Sequence, residues 1–121
     1  MSELLVESRN EGDVTVVSPK GFINAHTVRA FESELQKSLQ QKRFKLVVNC
    51  AELAYIASAG LGAMMGAIEE IRGNGGDLRV TNLNETVQNI FEILGFNHLF
   101  RIFPSEMEAL VSFREGPGPA S

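Results

Sequence analysis

The chain has 121 residues, 44% of them hydrophobic and 21% charged, with a formal net charge of −4 at pH 7. That length fits one domain able to bury roughly two-thirds of its unfolded surface. The acidic balance, with no Lys/Arg block longer than "QKR", argues against nucleic acid as a partner, and no apolar run approaches the roughly 20 residues that span a bilayer.

The N-terminal "MSELLVESRNEG" has no basic region followed by an apolar core, so it does not read as an export signal. "LLVESR" (4–9) and "VTVVSPKG" (14–21) read as two short strands joined by the turn "NEGD". Pro19 cannot donate to a ladder and belongs near a strand end or on an edge. From Asn24 the period becomes helical. Val28, Phe31, Leu35 and Leu39 recur at spacings of three and four, with Arg29, Glu32, Glu34 and Lys37 on the other faces. Either Asn24 or Thr27 can cap this helix. "FKLVVNCAELAYI" (44–56) reads as a strand covered on both faces, because Leu46, Val47 and Val48 run without a break. Cys50 closes that apolar run and is expected as a small buried hydrophobe, not a reactive thiol. As the single cysteine it has no partner for an internal disulfide, which suits a reducing cytoplasm.

After Ser58 the helical period returns. Leu61, Met64, Met65, Ile68 and Ile71 make one stripe, from whose centre one of the adjacent methionines must turn away. "GNGG" (73–76) stops this helix, since glycine and asparagine accept the left-handed conformation. "DLRVTNL" (77–83) is the next strand. "NETVQNIFEILGF" (84–96) is a helix with Val87, Ile90, Phe91 and Leu94 inward and Gly95 at its end. "LFRIF" (99–103) makes a last short strand. "SEMEALVSF" (105–113) is a helix whose Ser105 and Glu108 match the capping box, with Met107, Leu110 and Val111 as its inner face. The order β-β-α-β-α-β-α-β-α predicts an α/β fold. One domain would span 1–113, with a mixed, mostly parallel sheet of four to five strands and about four helices. "REGPGPAS" (114–121) has two Gly-Pro pairs and no apolar anchor, and is expected to be a flexible tail.

Little in the chain suggests an enzyme. A nucleophile needs a base within hydrogen-bond reach, and the only histidines are His26 and His98. "IASAG" around Ser58 has Ile56 where a G-x-S-x-G elbow places its first glycine. One cysteine and two separated histidines offer no metal cluster, and "GLGAMMG" lacks the lysine and Ser/Thr of a P-loop. No cofactor is expected. Ser58 remains, a lone hydroxyl where strand turns to helix. As an N-cap it would contribute about 1 kcal/mol. As a phosphoacceptor it would place added negative charge at a helix N-terminus, where free N–H groups and the dipole tolerate it. Ala59, Gly60, Leu61 and Gly62 follow it, so no charged side chain shields the hydroxyl.

At these residues the chain resembles a known family. "LVVNCAELAYIASAGLGAMMGAIEEIRGNGGDLRVTNLNETVQNIFEILGFNHLFRIF" looks like a STAS domain of the bacterial anti-sigma factor antagonists. That family carries an apolar strand, a short D-S-S-G-L-G or similar motif, a helix ending in "GG" and a later helix closing in "GL" or "GF". "GFINAHTVRAFESEL" is similar to the family's G-x-[ILV]-[DN] turn into its first helix, so the likeness covers about residues 4 to 113.

The resemblance implies a partner switch and not an enzyme. The unphosphorylated form would bind an anti-sigma factor that is also a serine protein kinase, freeing the sigma factor, and a PP2C-type phosphatase would restore that form. Carried over by position, Ser58 is the phosphorylated residue. Asn24, Ala57, Ser58, Ala59, Gly60, Leu61 and Gly62 form the implied partner-binding surface. Two positions depart from the pattern. Ala57 stands where many members have aspartate, and Ala59 where many have serine or threonine, which leaves Ser58 as the only acceptor in the loop. The other reading is a STAS module of a larger signalling or transport-accessory complex, with Ser58 serving as a cap.

Overall fold

The computed structural model describes residues 4–115. Its elements run β1 (Leu4–Glu11), β2 (Val14–Ile23), α1 (Val28–Gln40), β3 (Lys45–Asn49), β4 (Leu53–Ile56), α2 (Ser58–Gly73), β5 (Asp77–Thr81), α3 (Glu85–Ile93), β6 (Ile102–Phe103) and α4 (Glu106–Arg114). A 3-10 turn, Phe96–His98, separates α3 from β6. The six strands form one sheet in the order β1-β2-β3-β5-β6, with β4 also paired to β2. β1 is antiparallel to β2, and every other pair is parallel. Class, helix count and mixed sheet follow the sequence reading, with one strand more than it expected.

The extra strand arises within 44–56. Asn49 accepts the amide of Ala51 on its side-chain oxygen at 2.9 Å, and Leu53 N donates to Cys50 O at 3.0 Å. The chain therefore turns at Cys50–Glu52 instead of running straight, an asparagine-driven turn of the kind that competes with strand geometry. β3 pairs with Thr15–Val17 of β2, and β4 then pairs with Gly21–Ile23 further along the same strand. Pro19 falls between the two stretches, where β2 has no parallel neighbour to miss its N–H.

α1, α2 and α3 cover one face of the sheet. Phe31, Leu35, Leu61, Met64, Ile71, Val87 and Phe91 pack there against Val17, Leu46, Val48, Leu78 and Val80. Each such side chain contributes about 1.5–3 kcal/mol by leaving water. α4 covers the other face, where Ala109, Leu110 and Phe113 meet Val14, Val16 and Val47. Gly76, after the turn that ends α2, packs so closely that a Cβ there would lie 1.7 Å from Phe44 O.

Three residues read as inward, Leu94, Met107 and Val111, are exposed instead. Met65 is the methionine that turns outward, while Met64 is buried. Leu94 is half-exposed because α3 ends at Ile93 and Gly95, at φ +78°, redirects the chain. In α4 the inner face is Ala109, Leu110, Ser112 and Phe113, and Met107 and Val111 point outward. Arg79 of β5 selects that face: its guanidinium donates to Ser112 Oγ at 2.7 Å and lies 4.1 Å from the centre of the Phe113 ring. A largely buried cation requires an acceptor and a π face, which Met107 and Val111 cannot supply. α4 reaches Arg114, with Glu115 as its cap. The remainder of the expected tail, 116–121, lies outside the described residues.

Candidate functional site

The site is assembled by the re-pairing of β4. Ile23, the last residue of β2, is in register with Ile56, the last of β4. The chain segments that follow, Asn24 and Ala57, therefore leave the sheet side by side, and Ala57 N donates to Ile23 O at 2.8 Å. The carboxyl ends of parallel strands are where α/β folds present their functional groups.

Asn24 fixes the first segment. Its side-chain oxygen accepts from His26 N at 2.8 Å and Thr27 N at 3.2 Å, and its own N–H donates to Thr27 Oγ1 at 2.9 Å. Thr27 takes the N-cap position of α1 but makes no side-chain cap bond, so capping duty falls to the turn that Asn24 builds. The Asn24 amide nitrogen has no partner among the described residues.

Ser58 is not the N-cap. Ala57, extended at ψ 170°, holds that position, and Ser58 is the first helical residue. The Ser58 side chain is exposed, and its hydroxyl makes no hydrogen bond among the described residues. An alanine cap has no acceptor, and α2 has no acidic residue in its first turn. Gly60 N and Leu61 N turn back to Ala57 O at 2.9 and 3.4 Å. The amides of Ser58 and Ala59 have no such partner, and these are the donors that attract an anion at a helix start.

Of the remaining loop residues, Ala57 and Ala59 are half-buried and Gly62 is exposed. Gly60 and Leu61 are buried and already committed to the core. A Cβ at Gly60 would lie 2.6 Å from Ile23 Cγ2 and 2.7 Å from Ile56 Cγ1, so this glycine lets α2 rest on the ends of β2 and β4. A Cβ at Gly62 meets nothing within 4 Å. Of the residues read as partner-binding, Asn24, Ala57, Ser58, Ala59 and Gly62 are thus the ones that reach solvent. The sequence reading missed Phe22 and Tyr55, which are in register across β2 and β4 and exposed beside the site. Their alternation with buried Ile23 and Ile56 was the available signal.

Neither His26 nor His98 is hydrogen-bonded to the Ser58 hydroxyl among the described residues. Among the described residues no group of three His, Cys, Asp or Glu could hold a metal ion, and no helix is long and apolar enough to cross a membrane. Cys50 is buried, and burial pushes its thiol up to about 12.

Comparison with known proteins places this geometry. The STAS domain family matches residues 6–109. The chain is 24% identical over 108 residues to the anti-sigma F factor antagonist of Paenibacillus polymyxa, covering 88% of this chain and 92% of that one. An anti-sigma factor antagonist from Mycobacterium paratuberculosis superposes with a TM-score of 0.85 at 20% identity, over 93% of this chain and 95% of that chain. The anti-sigma factor antagonist SpoIIAA in its unphosphorylated form gives 0.80 at 19% identity, over 92% and 97%. The Bacillus cell fate determinant SpoIIAA in the phosphorylated form gives 0.68 at 19% identity, over 92% and 99%. These relatives are regulatory binding proteins rather than enzymes. With the family matched across both helical layers and the Ser58 loop, the chain belongs to the STAS domain family.

Proposed function

We propose that this protein is an anti-sigma factor antagonist switched at Ser58. In the unphosphorylated form it binds a cognate anti-sigma factor with serine kinase activity and releases the sigma factor. Phosphorylation of Ser58 ends that binding, and a PP2C-type phosphatase restores it. The observation that carries the reading is an exposed hydroxyl with no hydrogen bond, at the first turn of a 16-residue helix. A phosphate there adds about −1.5 to −2 charges beside the unpaired amides of Ser58 and Ala59. The fold tolerates that charge, whereas an apolar or acidic partner pressed against Ala57, Ala59 and Gly62 does not. Relatives named as antagonists, and SpoIIAA solved with and without phosphate, support the same reading.

The test is intact-mass spectrometry of the protein from its own host, with fragmentation to place any phosphate, followed by binding of Ser58→Asp to the kinase. The expected result is one phosphate on Ser58 and weakened binding by the variant. Ala57, which offers no carboxylate beside the hydroxyl, favours a second reading: a STAS module of a stable assembly. An unmodified chain under every growth condition, co-purifying with a complex that ignores Ser58→Ala, would establish that reading instead.

A further inference from the structure

Nothing on α2 answers the positive end of its own dipole. Ala57 holds the N-cap position without a side-chain acceptor, and the first turn has no acidic residue. Only Gly60 N and Leu61 N turn back to Ala57 O, so the amides of Ser58 and Ala59 have no partner among the described residues. A helix of 16 residues carries an end charge of about +0.5 at these groups.

The neighbouring segment adds no carboxylate. Ile23 O accepts from Ala57 N at 2.8 Å, which seats Asn24 next to the link between Ala57 and Ser58. Asn24 commits its side-chain oxygen to His26 N and Thr27 N, at 2.8 and 3.2 Å. Along the turn and α1 the first ionisable side chains are His26 and Arg29, and the first carboxylate is Glu32. Along α2 the first carboxylate is Glu69. Tyr55 is the only ionisable residue of β4, and Glu85 sits in the first turn of α3, at that helix's own N-terminus.

We infer that a phosphate on Ser58 becomes the cap that α2 lacks, held by the amides of Ser58 and Ala59, so that the phosphorylated chain is the more stable of the two states. The inference rests on the reading of Ser58 as the phosphoacceptor. A phosphate in the first turn of a helix gains charge-assisted hydrogen bonds to free N–H groups, roughly twice as strong as neutral ones. Asn24 and Ala57 bring no like charge to oppose it. Phosphorylation then has two effects: it closes the partner surface, and it fixes the start of α2. The unmodified form keeps the same two N–H groups free for an acceptor on the partner.

The test compares the full chain with and without phosphoserine installed at position 58 during translation. Denaturant unfolding should show the phosphate raising the ratio of folded to unfolded chain by about fivefold. Hydrogen exchange at the Ser58 and Ala59 amides should slow. Phosphorus NMR should place the second pKa of the phosphate below its ordinary value of about 6, and high salt should reduce the gain in stability. Asn24→Asp is the control. Its carboxylate accepts from the same two amides, so the unmodified variant should fold, but its charge beside Ala57 should raise the phosphate pKa and cancel the gain. A phosphorylated chain no more stable than the unmodified one overturns the inference, and so does a phosphate that titrates at its ordinary value. Failure of the phosphoacceptor reading shows separately, as an unmodified Ser58 in protein from the host, whatever an installed phosphate does to stability.

Discussion

Gly60 and Gly62 carry the same side chain two positions apart, and their environments give them opposite mutational signs. A methyl at Gly60 runs into Ile23 and Ile56, so Gly60→Ala should destabilise the fold by about 1–3 kcal/mol, the usual cost of overpacking. A methyl at Gly62 meets open space inside a helix, so Gly62→Ala should stabilise by up to about 1 kcal/mol. Urea unfolding of both variants checks the pair, and equal effects would contradict the packing described here. Ser58→Ala should change stability by less than about 0.5 kcal/mol, because its hydroxyl makes no bond that the fold uses. Cys50, buried with its thiol pushed up to about 12, should react with thiol reagents only as fast as the chain unfolds. Alkylation rates in increasing denaturant would show this. The buried cysteine was legible from its place in an apolar run. The capping role read into Ser58 was not correct, since a shift of one residue moves a hydroxyl from the N-cap position into the first turn.

At the scale of elements, α2 begins without a side-chain cap while α3 and α4 have theirs. Asn84 accepts from Val87 N at 2.8 Å, and Ser105 accepts from Glu108 N at 3.2 Å. Ala57→Asp should therefore stabilise the protein by about 1 kcal/mol, by supplying an acceptor and a negative charge to the start of α2. The same carboxylate would oppose a phosphate on Ser58, so the variant's gain in stability should shrink once Ser58 is phosphorylated. Thermal unfolding of both forms measures the difference. Helix positions were readable because the 3.6 period and the glycine stops are local signals. The inner face of α4 was not, because Arg79 of β5 chooses it. Nor was the break between β3 and β4, where an apolar run hides the turn that Asn49 makes.

At the scale of the whole molecule, distant segments are tied by polar links that cross the sheet. Glu106, at the start of α4, accepts from Asn49 Nδ2 of β3 at 2.9 Å and pairs with Arg9 of β1. Burial alone would raise the Glu106 carboxyl, but the hydrogen bonds from Asn49 and Arg9 outweigh it and hold the group below the ordinary glutamate value. A carboxylate whose folded-state pKa is lowered contributes stability above its unfolded value and loses it as pH falls through the folded one. Acidification should thus destabilise the wild type more than Glu106→Gln, as denaturant midpoints at neutral and acidic pH would reveal. On the opposite face Arg43 donates to Thr15 Oγ1 at 2.8 Å and to Gly12 O at 2.9 Å, joining the end of α1 to the first hairpin. The sequence by itself determined the α/β class, the four helices, the apolar core positions outside α4 and the end of α3, and the loop that carries Ser58, because period, turn residues and composition act over a few neighbours. Only the tertiary structure decided that β4 returns to β2 and so sets Asn24 beside Ala57. It likewise decided that Gly60 and Leu61 serve the core. Those outcomes depend on contacts between segments far apart in the chain, and no local pattern encodes them.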